Sequence, residues 1–181
     1  MQRFVLRLIV VALAAVGCGG LVAASAGATE GTGTTCSSDT GVAKLSPGIE
    51  EVSKVQNISV KGTLSGCTGS AGEAGKYVAH LKTASGVTCA SLASEGVVAE
   101  GSLIVKWGHG HGNSQATITV TGSPSAGFAL SGTVTSGPYE GLGISGTLSG
   151  TAVFKGKGEP CTKKNKLKEI DVTGATPFTV A

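Results

Sequence analysis

Apolar and polar residues alternate strictly in two related stretches of this chain. From Asn57 to Cys67 the apolar positions are Ile58, Val60 and Leu64, and from Gly143 to Phe154 they are Ile144, Leu148, Ala152 and Phe154. A period of two places these side chains on one face of a strand and the intervening Ser, Thr and Lys on the other. That pattern belongs to antiparallel sheet with one buried and one wet face. Both stretches contain Gly-Thr-Leu-Ser-Gly, at 62–66 and 146–150, and read as two strands solving one curvature problem.

The same alternation predicts further strands over Lys76–Thr83, Val97–Trp107, Gln115–Thr121 and Phe128–Thr135. A short strand is expected at Gly41–Leu45, stopped by the turn signal Ser46, Pro47 and Gly48. A last strand runs over Ile170–Val180, interrupted by Gly174 and Pro177. Residues 49–54 and 88–92 read as single helical turns or loops, and 108–114 as a hairpin loop. No amphipathic helix of useful length appears. About eight strands joined by short turns predict an all-β fold, a single antiparallel β-sandwich or a closed β-barrel. Thirty glycines, several inside strands (Gly62, Gly132, Gly146, Gly150), suit a strongly curved sheet.

The N-terminus has a different character. Arg3 and Arg7 precede an apolar run to Val16, and small residues follow to Ala28. This is the layout of a signal peptide over residues 1–28, with a run shorter than the roughly 20 residues of a membrane span. No later stretch predicts a transmembrane helix. Ala15-Val-Gly-Cys18 loosely resembles a lipobox, so the expected location is secreted, with lipid anchoring at Cys18 as the alternative. Residues 29–40 read as a flexible lead-in and 41–181 as the all-β domain. The exported part, about 150 residues, is one domain.

Charge changes the picture little. The full chain carries +3, and without the two arginines it is nearly neutral, which argues against a nucleic-acid partner. The charge is uneven, however. Lys155, Lys157, Lys163, Lys164, Lys166 and Lys168 cluster with Glu159 as the one acid among them, a pattern that attracts an anionic cell-envelope polymer or another surface protein. No aromatic residue lies between these lysines to stack a base.

Beyond Cys18, the cysteines are Cys36, Cys67, Cys89 and Cys161. An even number in an exported domain reads as two disulfides with three possible connectivities. The expected pairing is Cys67–Cys89, closing a local loop, and Cys36–Cys161, tying the two ends of the domain. His109 and His111 at i and i+2 would point the same way on an extended strand and form a candidate metal pair, with His80 and Glu140 as the other donors suggested. Trp107 fills a sandwich core or, with Phe128, lines a barrel cavity. No nucleophile elbow, zinc-protease motif, phosphate loop or dinucleotide fingerprint occurs, so neither a catalytic residue nor a cofactor is expected.

Ser46-Pro-Gly48, Val60 to Cys67, Ile104 to Trp107, Ser136 to Tyr139, Gly156 to Gly158 and Cys161 occur in this order. Together they resemble a group of small secreted actinobacterial proteins of unknown function, from about Cys36 to the end of the chain. The resemblance implies export, an all-β domain and disulfides, and carries no activity. Three readings follow: a non-catalytic binding or cell-surface protein, a carrier of a small apolar ligand, and a metal binder through His109 and His111.

Overall fold

The structure is a computed structural model that describes residues 33–69, 74–94 and 96–181. The expected signal peptide and Cys18 lie outside the described residues. Nine strands and one short helix follow in order: β1 (Thr34–Ile49), β2 (Asn57–Gly69), β3 (Ala74–Thr83), α1 (Cys89–Ser94), β4 (Val97–Trp107), β5 (Asn113–Ser123), β6 (Gly127–Ser136), β7 (Gly143–Val153), β8 (Leu167–Gly174) and β9 (Phe178–Val180). Each strand from β1 to β8 pairs antiparallel with the next, and β8 pairs back with β1. The sheet therefore closes into an up-and-down barrel, which decides between the two expected architectures and leaves few free strand edges.

Closure depends on β1. Its second half, Thr40–Lys44, pairs with β8, while Thr34–Cys36 pairs with β9. Strand β7 is shared in the same way, with Leu148–Val153 on β8 and Ile144–Ser145 on β9. The eighth stave is thus one strand broken between Gly174 and Phe178, as Gly174 and Pro177 predict. Strand β1 is longer than the sequence suggests at both ends. It starts at Thr34, inside the segment read as a flexible lead-in, and continues through the Ser46–Pro47 peptide, which is cis.

The alternating residues point inward as expected: Val60, Leu64, Tyr77, Ala79, Leu81, Leu103, Val105, Trp107, Ile118, Phe128, Leu130, Val134 and Ile144 are buried. The two Gly-Thr-Leu-Ser-Gly stretches do not play one role. In the first, Gly62 takes the ring of Tyr77, to which an added Cβ would lie at 2.4 Å, and Gly66 is left-handed at φ +59°. In the second, Gly150 takes the ring of Phe128, at 2.6 Å from an added Cβ.

The disulfides join Cys36 to Cys67 and Cys89 to Cys161. This corrects the expected pairing, and the reason is the up-and-down path. Cys36 and Cys67 stand directly opposite each other in the β1–β2 ladder. Strand β3 then carries the chain about 30 Å, ten residues of extended backbone, to the other end of the barrel before Cys89. Cys161 lies in the β7–β8 connection at that same end, so both expected pairs would have had to span the barrel.

Candidate functional site

The two ends of the barrel differ. At the lower end, where β1 begins, Trp107 is buried and packs edge-on against Tyr139, with ring centroids 5.5 Å apart at 81°. Its Nε1–H donates to Ser114 Oγ at 2.8 Å, and the Ser114 hydroxyl donates to the Pro138 carbonyl. With the Cys36–Cys67 bridge, Leu64, Val134 and Val180, this group fills the lower lumen.

The upper end is covered rather than filled. Helix α1 lays Leu92 on the lumen, and Thr88 and Ser91 cap its start reciprocally. Ser91 N–H donates to Thr88 Oγ1 at 3.0 Å and Thr88 N–H to Ser91 Oγ at 2.9 Å. The Cys89–Cys161 bridge ties the helix to the lysine-rich β7–β8 connection. Glu50 holds the third side: its carboxylate accepts from Lys54 and from Lys166 at 3.0 Å, and its carbonyl accepts from Cys89 N–H at 3.3 Å. The Lys54 and Lys166 ammonium groups hold the Glu50 carboxyl below its usual range. Gln56, with no solvent exposure, pins the β1–β2 loop by accepting from Gly48 N–H at 2.9 Å and donating to the Lys54 carbonyl at 3.1 Å.

Beneath this cover the lumen is hollow. About 80 Å³ is open to the centre of a water-sized sphere, walled by residues that include Leu45, Ile58, Ala99, Val120, Phe128 and Leu148. One water needs roughly 10–15 Å³ on this measure. Thr83 carries the one hydroxyl in this wall, and it is engaged with the Gln56 N–H at 3.0 Å and the Ser85 carbonyl at 2.8 Å. A second void of about 40 Å³ lies below, and Val60, Leu81, Val120 and Leu148 border both.

The lower void has a polar element that the sequence reading missed. Asp39, 4% exposed, accepts a hydrogen bond from Tyr77 O–H at 2.7 Å, and both residues line the void. Burial pushes the Asp39 carboxyl up from its ordinary value, opposed by the Tyr77 hydrogen bond. Burial, and then the Asp39 charge, push the Tyr77 phenol up as well. Counting from Cys36 by twos places Asp39 outside, but the alternation slips at Ser37–Ser38, opposite Ser65–Gly66. Counting back from Leu45 through Ala43 and Gly41 gives the right face.

The other expected sites fare unequally. Phe128 lines the upper void, whereas Trp107 is core at the opposite end. His109 and His111 are exposed in the β4–β5 turn, where His109 is left-handed at φ +52°, so the extended geometry assumed for them does not hold. His80 lies on the outer wall in an open groove with Lys82 and Glu100. Among the described residues no three His, Cys, Asp or Glu side chains come together as a metal site. Lys155, Lys163, Lys164, Lys166 and Lys168 do share one surface groove at the upper end. Two of them are already neutralised, Lys155 by both oxygens of Glu169 at 2.7 Å and Lys166 by Glu50, and Lys157 does not line the groove.

No helix among the described residues is long and apolar enough to cross a membrane. Two disulfides mark a fold that suits an oxidising compartment. Compared with protein-family models, curated proteins and solved structures, the chain matches none.

Proposed function

We propose that this is an exported, non-catalytic binding protein that carries a small apolar molecule inside its barrel, admitted at the α1 end. The observation that supports the reading is the upper lumen, a void whose wall is apolar but for the engaged Thr83 hydroxyl, in a barrel packed tightly at its other end. Eight strands give an interior just wide enough either to be filled by side chains or to hold one small ligand, and here the small side chains of Ala43 and Ala99 leave part of it unfilled. Apolar cavities of this kind stay dry and take apolar guests. The cover over the void is a single short helix that buries Leu92 and is held by one disulfide and by the Cys89 N–H bond to the Glu50 carbonyl.

Calorimetric titration with toluene tests the proposal. One-to-one binding is expected in the wild type, weakened at least tenfold by Ala99→Leu, whose added side chain occupies the upper lumen. Equal affinity in the variant, or no binding by the wild type, overturns the reading.

A further inference from the structure

Among the described residues lining the two voids, Asp39 is the one charged side chain, and it stands in a built pair with Tyr77. Gly41, Gly62 and Tyr77 stand in one row across β1, β2 and β3. An added Cβ would lie 2.8 Å from the Tyr77 hydroxyl at Gly41 and 2.4 Å from it at Gly62. The two glycines thus form a track along which the phenol crosses β2 to reach Asp39. On the other side, Gly174 closes on Asp39 where the eighth stave breaks, with its added Cβ at 3.1 Å from Asp39 Cβ.

Tyr77 satisfies only Oδ1. The second carboxyl oxygen, Oδ2, has no partner among the described residues, although Asp39 is 4% exposed and borders the lower void. Among the described residues no fully buried side-chain oxygen lacks a partner, so the unpaired Oδ2 keeps some surface open to a water-sized sphere. A largely desolvated carboxylate gains from a group that donates to it there. The void it borders adjoins the apolar chamber above through Val60, Leu81, Val120 and Leu148.

We infer that Asp39 Oδ2 is the polar anchor of the lumen, and that the ligand is an apolar molecule carrying one hydrogen-bond donor at its leading end. This rests on the carrier reading above and narrows it. The donor seats on Oδ2, Tyr77 holds Oδ1 and so fixes the carboxyl plane, and the apolar body occupies the chamber under α1. A carboxylate is acceptor-only, so a ligand that can only accept finds no partner there.

The test compares n-hexanol, which donates, with butyl ethyl ether, which only accepts, in the wild type and in Asp39→Asn. The asparagine keeps an oxygen for Tyr77 and turns an N–H₂ donor toward the void. The transfer of each probe from water is common to both proteins, so the alcohol-to-ether affinity ratio isolates the anchor. That ratio is expected to fall about tenfold in the variant, the size of one hydrogen bond to a charged group. A second readout needs no variant: the Asp39 carboxyl-carbon resonance of the wild type moves on adding n-hexanol and stays put with the ether. Both probes binding with an unchanged ratio, or with equal effects on that resonance, overturns the anchor while leaving the carrier reading standing. Binding of neither probe overturns both.

Discussion

Asp39 is the residue at which the molecule's acid–base behaviour and its binding chemistry meet. Burial raises its carboxyl pKa, so the folded chain holds that proton more tightly than the unfolded chain does. Its contribution to stability is therefore complete below the unfolded value, near 3.8, and is lost as pH rises through the folded value. Glu50 works in the opposite sense. The Lys54 and Lys166 ammonium groups lower its pKa, so its contribution is present above the unfolded carboxyl value and is lost as pH falls. Denaturant titrations from pH 3 upward test the assignment, over a range starting about one unit below ordinary carboxyl values. The stability of the wild type relative to Asp39→Asn is expected to decline as pH rises, and that relative to Glu50→Gln to grow. The opposite trends would mean that the two environments are misassigned.

Neither carboxylate was legible as a site. Asp39 sits in Ser37-Ser-Asp-Thr-Gly41, which reads as loop composition, and only its phase with Ala43 and Leu45 marks it as inward. Glu50 follows a turn signal and has no periodic context at all. By contrast Phe128 was legible as a lumen residue because its strand alternates cleanly.

Among the elements, the strands from β2 to β6 follow the sequence pattern closely, since each buries one face against the lumen. At the upper end of β7, by contrast, Ala152 is exposed and Phe154, just beyond the strand, lines a surface pocket. Strand β1 was cut short because Ser46, Pro47 and Gly48 carry the chemistry of a turn, while the barrel keeps them in the strand beside Asn57. The disulfides were misread because sequence distance says nothing about which end of a barrel a loop occupies. Their true positions give them separate tasks. Cys36–Cys67 rivets two adjacent staves at the filled end, whereas Cys89–Cys161 holds the cover at the hollow end. Each closes a loop worth roughly 3.5–4.5 kcal/mol in the chain-entropy model. Hydrogen exchange distinguishes them at the Leu92 amide, which donates to the Thr88 carbonyl at 2.9 Å. Its exchange is expected to accelerate sharply over that of the β4 amides in Cys89→Ser/Cys161→Ser. In Cys36→Ser/Cys67→Ser the two are expected to change together. Leu92 tracking β4 in both variants would show that the second bridge does not govern the cover.

For the whole molecule, the alternating pattern predicts one curved antiparallel sheet but leaves closure undecided. A sandwich and a barrel share the same period of two, and what separates them is the pairing of β1 with β8 and β9. That pairing is non-local and leaves no signature in either strand. The lumen is equally invisible in sequence, because a void is a deficit of side-chain volume summed over many strands. Small residues at Ala43 and Ala99 contribute to it, yet each is ordinary alone.

The hollow upper lumen is the central claim, and diffraction from crystals held under xenon tests it most directly, since xenon enters apolar cavities and is seen by its electron density. The account predicts a xenon site inside the barrel, among Leu45, Ile58, Val120 and Leu148 beneath α1. Xenon confined to the outer surface pocket beside Pro124 and Phe154, with ordered water or packed side chains in the lumen, would contradict it.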